Sequence, residues 1–387
     1  MNVLFVSPQF PPQFFRFCAA LKARGITALG LGDTRYEALA PELSASLDGY
    51  AFVPDLALNY DAALRGTAWL ISQHGRIDRV ESHNEFWLEL DARLREDFNI
   101  PGPTPAQLDR WRTKTGMAGL FDQAGIPRPE GIVSESKDVL RAYAKKHGYP
   151  LIFKPNQGVG AVATSRVDDD AQLAAALERP LDRTIVQPFI TGDIVSYDGV
   201  VDGQGRIVFE TSHAYSAGIM EVLNNRLDVS YWSVREIPTQ LREYGRRTVI
   251  GFDLRERFFH VEFFRLPDGS HRALECNVRP PGGFTTDMMN YTFDTDVYAL
   301  WARVVAGDDL TGFQPVAKYF VTHVSRRNQR HYKASVDEVV ARLGERLLFH
   351  RAMPDVLAGA MGDSMFMLRS PDFEVVKSDI AFIQALA

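Results

Sequence analysis

Residues 259–283 read FHVEFFRLPDGSHRALECNVRPPGG and predict two apolar strands joined by a tight Asp-Gly turn. Because side chains alternate along a strand, Glu275, Asn277 and Arg279 share one face. A hairpin paired in register would place Glu262 on the same face. Two carboxylates and an amide oxygen form the hard, oxygen-only donor set that Mg²⁺ prefers, and the arginine beside them could hold a transferring phosphoryl group. This stretch indicates a magnesium site, and a solvent-facing strand with alternating polar residues is the alternative.

A second stretch, residues 150–164, reads PLIFKPNQGVGAVAT and predicts a hairpin with a glycine-containing tip. Backbone N–H groups of such a tip can surround polyphosphate oxygens, and Lys154 places a positive charge beside them. The stretch lacks the G-x-x-x-x-G-K-[ST] phosphate loop, and no G-x-G-x-x-G follows the first predicted strand, which disfavours a dinucleotide enzyme. Taken alone, the stretch is equally compatible with an ordinary turn that carries a solvated lysine.

The composition excludes several classes of protein. The 387 residues carry 43 Lys and Arg against 49 Asp and Glu, a formal net charge of −6, so no basic field would attract nucleic acid or anionic lipid. The two cysteines, Cys18 and Cys276, are far apart, which argues against a disulfide framework and favours a reducing cytoplasm. No apolar run reaches the roughly 18 residues of a membrane span, and no targeting segment is visible. We therefore expect a cytoplasmic protein without nucleic-acid or membrane partners.

The first hundred residues alternate between short apolar runs and helical spacing. Residues 3–6 and 26–31 predict buried strands, and a further strand at 77–80 precedes a charged helix at 84–97. This βαβ alternation predicts an open parallel sheet whose ligands lie at the carboxyl ends of its strands. Three prolines within residues 100–105 predict a linker after this sheet.

The remaining motifs follow one another in a defined order. Lys114 begins a predicted helix, and Lys154 follows forty residues later beside the glycine-containing tip. Residues 185–198 then read IVQPFITGDIVSYD, and the strand pair at 259–283 closes the set. Over residues 101–310 this order resembles the ATP-grasp superfamily, in which residues 185–198 would form the linker that encloses adenine and ribose. The ending Glu-x-Asn-x-Arg-Pro-Pro-Gly-Gly is most similar to carboxylate–amine ligases of that superfamily, including amino-acid ligases.

The resemblance implies an α/β protein whose ATP-grasp part is α+β. A Rossmann-like parallel sheet at residues 1–100 would precede the ATP-grasp domain at residues 101–310. The nucleotide lid of that domain would cover about residues 115–190. Residues 311–387 would form a small carboxy-terminal α/β region that completes the ATP-grasp module.

The resemblance also implies a role for each matching residue of the nucleotide site. Lys114 and Lys154 would contact the phosphates of ATP. Many members carry an acidic residue at the position of Gln187, although a glutamine can still hydrogen-bond adenine. The mobile loop over the phosphates would comprise Gln157, Gly158, Val159, Gly160 and Ala161. The adenine and ribose contacts would comprise Gln187, Phe189, Ile190 and Asp193.

On the predicted hairpin, the resemblance implies that Glu275 bridges two Mg²⁺ ions, for which Mn²⁺ could substitute. Glu262 and Asn277 would be further ligands. Arg279 would steady an acyl phosphate, so Arg279 and Lys154 are the expected catalytic residues.

The implied reaction is ATP-dependent formation of an amide or peptide bond between a small-molecule carboxylate and an amine, with release of ADP and phosphate. A homodimer is a further expectation from the family. A small-molecule kinase, a bicarbonate-using carboxylase and a non-catalytic nucleotide-binding module are the alternatives. The complete lysine pair and the Glu-x-Asn-x-Arg strand disfavour the non-catalytic module.

Three other features have a more ordinary interpretation. His260 alternates with Glu262 along the predicted strand, two residues before it, and is expected to be a packed or polar neighbour rather than a ligand. Cys276 faces away from the predicted metal ligands, which predicts a core thiol rather than a nucleophile. Arg326, Arg327 and Arg330 form a basic cluster that is typical of a solvated surface, although it could also hold a substrate carboxylate.

Overall fold

The computed structural model describes residues 1–158, 164–181 and 183–387. These residues form helices and three β-sheets, one of which has eight strands. Within the described ranges, no helix combines the length and the apolar character needed to cross a bilayer.

The amino-terminal region is a parallel sheet covered by helices. Its elements are β1 (Asn2–Val6), α1 (Phe15–Lys22), β2 (Thr27–Gly32), α2 (Pro41–Ser46), β3 (Gly49–Phe52), α3 (Tyr60–His74), β4 (Arg79–Glu81) and α4 (Leu88–Asp97), with 3₁₀ turns at Pro12–Phe14, Tyr36–Ala38 and Glu85–Trp87. The four strands lie in the order β3-β2-β1-β4 and all pairs are parallel, as the βαβ alternation predicted. Sequence reasoning did not predict β3, α2 or α3.

Two helices lead into a small antiparallel sheet. The elements are α5 (Pro105–Arg112), α6 (Lys114–Gln123), β5 (Ile132–Val133), α7 (Lys137–His147), β6 (Leu151–Pro155), β7 (Ser165–Val167), α8 (Asp170–Ala176) and β8 (Thr184–Pro188). The helix predicted to begin at Lys114 is confirmed, because the Thr113 side chain caps it by accepting from the Gly116 N–H. The strand order is β5-β8-β6-β7, so β6 and β7 form the predicted hairpin.

The largest sheet is antiparallel and draws on the rest of the chain. Its elements are β9 (Asp193–Val201), β10 (Ile207–Tyr215), α9 (Ile219–Asn225), β11 (Ser230–Ser233), α10 (Thr239–Gly251), β12 (Arg257–Arg265), β13 (His271–Asn277), α11 (Thr285–Phe293), α12 (Val297–Val305), β14 (Phe320–Arg326), α13 (Val336–Leu343), β15 (Leu347–Ala352), α14 (Asp355–Met361), β16 (Ser364–Ser370) and α15 (Phe373–Gln384). The order is β13-β12-β9-β10-β11-β14-β16-β15. The predicted domain division at residue 310 stays a prediction, since strands from both sides of it share this sheet.

One aromatic core joins the amino-terminal sheet to the largest sheet. Trp301 of α12 is fully buried, with its ring centroid 5.4 Å from that of Phe17 and 5.9 Å from that of Phe5. Phe258 of β12 packs against Phe17 from the other side, at 5.7 Å. Burial of each such ring contributes about 2–3 kcal/mol. This core holds the carboxyl end of β1 close to the start of β12.

The basic cluster of the last region is not a solvated surface, so that expectation was wrong. Arg327 is buried and donates hydrogen bonds to the carbonyl oxygens of Leu227, Ala358 and Gly359. Arg326 is also buried and donates to the Ile383 carbonyl at 2.8 Å. These guanidinium groups satisfy backbone oxygens where β14 meets the surrounding helices, which is a structural role.

Candidate functional site

The hairpin of β12 and β13 brings the predicted metal-binding residues together. In its register Glu262 pairs with Glu275, and His260 pairs with Asn277. The Asn277 side-chain amide donates to Glu275 Oε1 at 3.1 Å. The prediction that Glu262 lies on the face of Glu275 and Asn277 is therefore confirmed.

The two carboxyl groups of this face differ in their electrostatic environment. Burial and the charge of Glu262 raise the pKa of Glu275 above its usual range. Burial also opposes ionisation of Glu262, but the charge of His260, whose Nε2 lies 3.6 Å from Glu262 Oε1, outweighs it and lowers the pKa of Glu262. Two carboxyl groups packed together in this way form a site that a divalent cation would stabilise.

The residues present fit Mg²⁺ when the nucleotide supplies additional ligands. Among the residues that the structure describes, no group of three or more His, Cys, Asp or Glu side chains is arranged to hold a metal ion. Glu262, Glu275 and the Asn277 amide therefore offer an oxygen-only but incomplete donor set. Mg²⁺ commonly binds through one or two carboxylates together with substrate phosphates and water.

Asn156 connects the segments that carry the two predicted phosphate-binding lysines. The Lys114 backbone N–H donates to the Asn156 carbonyl at 2.7 Å, and the Thr115 N–H donates to Asn156 Oδ1 at 3.0 Å. These bonds tie the start of α6 to the end of β6, which carries Lys154. Burial and the charge of Lys114 lower the pKa of Lys154 to about 8. An anionic phosphate beside both ammonium groups would offset their mutual repulsion.

A cavity lies beside these lysines, between α6, β8 and β13. Its volume is about 20 Å³, and its wall combines the charged side chains of Lys114, Lys154 and Arg128 and the polar Gln187 with apolar residues. Gln187 packs closely on Gly131, where an added Cβ would lie 2.8 Å from the Gln187 Cγ. The residues that line the cavity are Lys114, Met117, Ala118, Phe121, Arg128, Pro129, Lys154, Gln187, Ala273 and Leu274.

The other predicted nucleotide contacts occupy the segment after β8. The Phe189 ring lies under the Arg166 guanidinium, 4.4 Å from ring centroid to Cζ, and Ile190 is half-buried beside it in sequence. Asp193 is exposed and forms an ion pair with Arg265 at 2.6 Å. The ribose role of Asp193 stays a prediction.

The glycine-containing tip is only partly described. Gln157 and Gly158 are exposed, and Gly158 has a φ of 154°, a backbone conformation that favours glycine. Val159, Gly160 and Ala161 lie outside the described residues, so their predicted loop role is unchanged.

Arg279 contacts a residue that sequence reasoning missed. Strand β13 ends at Asn277, so the alternation that placed Arg279 on the metal face does not extend to it. Its Nε lies 3.3 Å from Glu85 Oε2, and its Nη1 donates to the Pro280 carbonyl at 2.8 Å. Glu85 follows the carboxyl end of β4, at the edge of the parallel sheet where ligands are expected. This position in the sequence could have identified Glu85 as a candidate site residue.

Asp198, in the middle of β9, makes contacts that sequence reasoning did not foresee. It is fully buried and contacts the Nδ1 atoms of His213 at 2.7 Å and His260 at 2.6 Å. Burial alone would lower the pKa of His260, but the Asp198 carboxylate raises it to about 10. The expectation that Ser196 and Asp198 belong to an adenine and ribose linker is wrong, because both lie inside the largest sheet. His260 is a polar neighbour of Glu262, as predicted.

Cys276 is a core thiol, as its position in the alternation predicted. It is buried in the cluster under α5, α6 and α10, and burial raises its pKa well above the usual range. A thiol in this state is a poor nucleophile.

Residues 111–225 match the family model for an ATP-grasp domain. Three solved structures show the likeness of the whole fold. L-amino acid ligase from Bacillus licheniformis has a TM-score of 0.74 at 15% identity, over 98% of this chain and 95% of that chain. N5-carboxyaminoimidazole synthetase from Staphylococcus aureus, complexed with ADP, has a TM-score of 0.72 at 12% identity, over 98% and 95% of the two chains.

The third structure is the biotin carboxylase domain dimer of Hydrogenobacter thermophilus 2-oxoglutarate carboxylase, with MgADP, ADP and bicarbonate. It has a TM-score of 0.71 at 15% identity, over 100% of this chain and 90% of that chain. At these identities the likeness establishes the fold. The predicted fold class, a Rossmann-like parallel sheet followed by an ATP-grasp fold, is confirmed.

Proposed function

We propose that the protein is an ATP-dependent, ADP-forming ligase that joins a carboxylate to an amine, on the premise that residues 111–225 match the family model for an ATP-grasp domain. The observation that carries the proposal is the convergence of two segments distant in sequence. Lys114 and Lys154 lie within electrostatic reach of Glu275, and Lys154 also lies within reach of Glu262. A cluster of positive groups facing a carboxylate pair suits a polyphosphate bound with a divalent cation.

In the first step, a carboxylate oxygen of the substrate would attack the γ-phosphorus of ATP. The bond from that phosphorus to the bridging oxygen breaks, ADP leaves, and an acyl phosphate forms. Lys114 and Lys154 would hold the phosphates, and Arg279 would hold the transferring phosphoryl group. Mg²⁺ bound to Glu262, Glu275 and Asn277 would neutralise phosphate charge. Such a reaction depends mainly on positioning and electrostatic stabilisation, which these residues can provide.

In the second step, the amine nitrogen would attack the carbonyl carbon of the acyl phosphate. The carbon–oxygen bond to phosphate breaks, inorganic phosphate leaves, and the amine loses one proton as the amide forms. No covalent enzyme intermediate is required, in keeping with the buried and protonated Cys276 thiol. Because ligation needs both substrates held together, the pocket must exclude water from the acyl phosphate.

We propose amino-acid-like substrates on the likeness to the L-amino acid ligase. A cytoplasmic location is supported by the two buried free thiols, Cys18 and Cys276. Homodimer formation stays a proposal, and the biotin carboxylase domain among the similar structures is described as a dimer.

The test is a pairwise screen of carboxylates and amines with ATP and Mg²⁺, followed by phosphate release and product mass. We expect ADP and phosphate only when both substrates are present. With an ¹⁸O-labelled carboxylate, the label should appear in inorganic phosphate. Label in AMP would contradict the acyl-phosphate route, and a phosphorylated alcohol would indicate a kinase. Dependence on bicarbonate would indicate a carboxylase, and tight ATP binding without turnover would indicate a binding module.

A further inference from the structure

A buried polar cluster lies beside the predicted metal ligands, on the same face of the largest sheet. Asp198 is at its centre, with no side-chain surface exposed. Its Oδ2 accepts from Ser196 Oγ at 2.5 Å and contacts His213 Nδ1 at 2.7 Å. Its Oδ1 contacts His260 Nδ1 at 2.6 Å. The cluster therefore uses both oxygens of one carboxylate to hold two histidine rings.

This arrangement is costly for a sheet core. A buried carboxylate is unfavourable unless it is paired and hydrogen-bonded, and apolar side chains of similar size often serve stability as well or better. The opposite face of β9 does carry apolar packing, because Val195 and Tyr197 lie there in an apolar cluster.

The cluster ends at a predicted metal ligand. The Nε2 atom of His260 lies 3.6 Å from Glu262 Oε1, and Glu262 pairs with Glu275 across the hairpin. The His260 ring thus stands between two carboxylates, with one nitrogen facing each. Its position is fixed from the far side by Asp198, and Asp198 is fixed in turn by His213 and Ser196.

We propose that Asp198 and His260 are positioning residues that hold the Glu262 carboxylate in the orientation required for the metal ion. The inference rests on the proposed function, since it assigns support to the metal site named there. Partners of this kind orient metal ligands in many proteins, and their loss commonly weakens metal binding by 10- to 100-fold. His213 and Ser196 contribute indirectly, because they contact Asp198 and hold it in place.

Two variants of one residue separate positioning from simple structural support. In His260→Asn the amide can replace Nδ1 and donate to Asp198, but it does not reach Glu262. In His260→Gln the longer amide can replace Nε2 toward Glu262 and leaves Asp198 with fewer partners. We expect His260→Asn to be folded but to bind metal about 10- to 100-fold more weakly. We expect His260→Gln, which keeps a donor to Glu262 but loses the contact with Asp198, to bind metal with an affinity between those of the wild type and His260→Asn and to be the less stable variant.

The control is a buried carboxylate of similar construction far from the site. Asp379 has 2% of its side chain exposed and pairs with Arg346 at 2.8 Å and Arg342 at 3.5 Å. Asp379→Asn should lower thermal stability without changing metal affinity. A loss of metal affinity in this variant as well would mean that any destabilisation weakens the site, and it would overturn the proposal.

Metal affinity is measured on the full chain by electron paramagnetic resonance titration of Mn²⁺ in the presence of ADP, with folding checked by circular dichroism. Weaker Mn²⁺ binding in His260→Asn than in His260→Gln supports the proposal. Equal binding in wild type and folded His260→Asn overturns it. If the wild-type protein binds no Mn²⁺ with ADP, the proposed function itself fails, and this result is distinct from the others.

Discussion

Replacing Glu275 with glutamine should remove turnover and at the same time stabilise the metal-free protein. Glu275 lies opposite Glu262 in the hairpin, and its pKa is raised by burial and by the charge of that neighbour. The glutamine side chain would keep the shape and the contact with Asn277 while removing one of two adjacent negative charges. A divalent cation would need this Glu275 charge as a ligand.

The magnitude follows from electrostatics. Two unit charges about 4 Å apart repel by about 1 kcal/mol in water and about 4 kcal/mol at the effective dielectric of a protein surface. The nearby Lys114 lowers the pKa of Glu275 and so offsets part of this repulsion. We therefore expect the free energy of unfolding of Glu275→Gln to rise by about 1–2 kcal/mol without metal. Turnover should fall by about 10²–10³-fold, as when one contact to a charged transition state is lost.

The pH dependence has a definite sign. Because the pKa of Glu275 is raised on folding, the wild-type protein loses stability as pH rises from about 4.5 through the pKa of the folded state. The glutamine variant lacks this titration. The stability advantage of Glu275→Gln should therefore grow with pH over that interval.

The assay is chemical denaturation in EDTA and in excess Mg²⁺ with ADP, together with ATP turnover. Glu262→Gln is the matched control, because Glu262 is the member of the pair that forms an ion pair with His260 at 3.6 Å. Glu262→Gln should lower the free energy of unfolding of the metal-free protein, whereas Glu275→Gln should raise it. Near-normal turnover of Glu275→Gln at saturating Mg²⁺, or lower stability than wild type in EDTA, would refute the reasoning.

Further predictions concern other parts of the fold. Burial lowers the pKa of His83 to about 4, so the wild type should lose stability as pH falls from 6.5 towards 4. His83→Phe should reduce the dependence of the free energy of unfolding on pH by up to about 1.4 kcal/mol per pH unit, measured by urea titration. An unchanged pH dependence would contradict this prediction. Gly119→Ala in α6 meets open space and should raise the free energy of unfolding by about 0.5–1 kcal/mol. Gly245→Ala would place its Cβ 2.1 Å from the Tyr197 ring and should lower that free energy, and equal effects at the two glycines would be inconsistent with this packing. Arg327→Met should reduce stability by about 2–4 kcal/mol, through the carbonyl oxygens left without a donor, while the KM for ATP stays unchanged; a raised KM would indicate a substrate role.

Sequence reasoning located the hairpin of β12 and β13, which carries the proposed metal ligands, because its signals are local. The two-residue alternation puts Glu275 and Asn277 on one face whatever the strands pack against, and the Asp-Gly turn joins the strands. The start of α6 at Lys114 and the strand that carries Lys154 follow from equally short-range patterns. These residues could therefore be assigned before any fold was known.

Short or weakly patterned elements were harder to predict. Strand β3 has four residues, and α3 carries buried residues at only a few of its fifteen positions. Such segments are stabilised by packing against the parallel sheet and its core. Tertiary packing outweighs their own weak preference.

By itself, the sequence determined which side chains share a strand face or begin a helix, because those relations depend on neighbours only a few residues away. Only the tertiary structure decided which distant partners meet. Asp198 contacts His260 from 62 positions away, and Glu85, in the 3₁₀ turn that follows β4, contacts Arg279 after β13. The burial of Arg326 and Arg327 was decided in the same way, by helices that supply carbonyl oxygens. A partner of this kind is selected by the packing of whole elements, and the chain between two partners carries no periodic signal that records their contact.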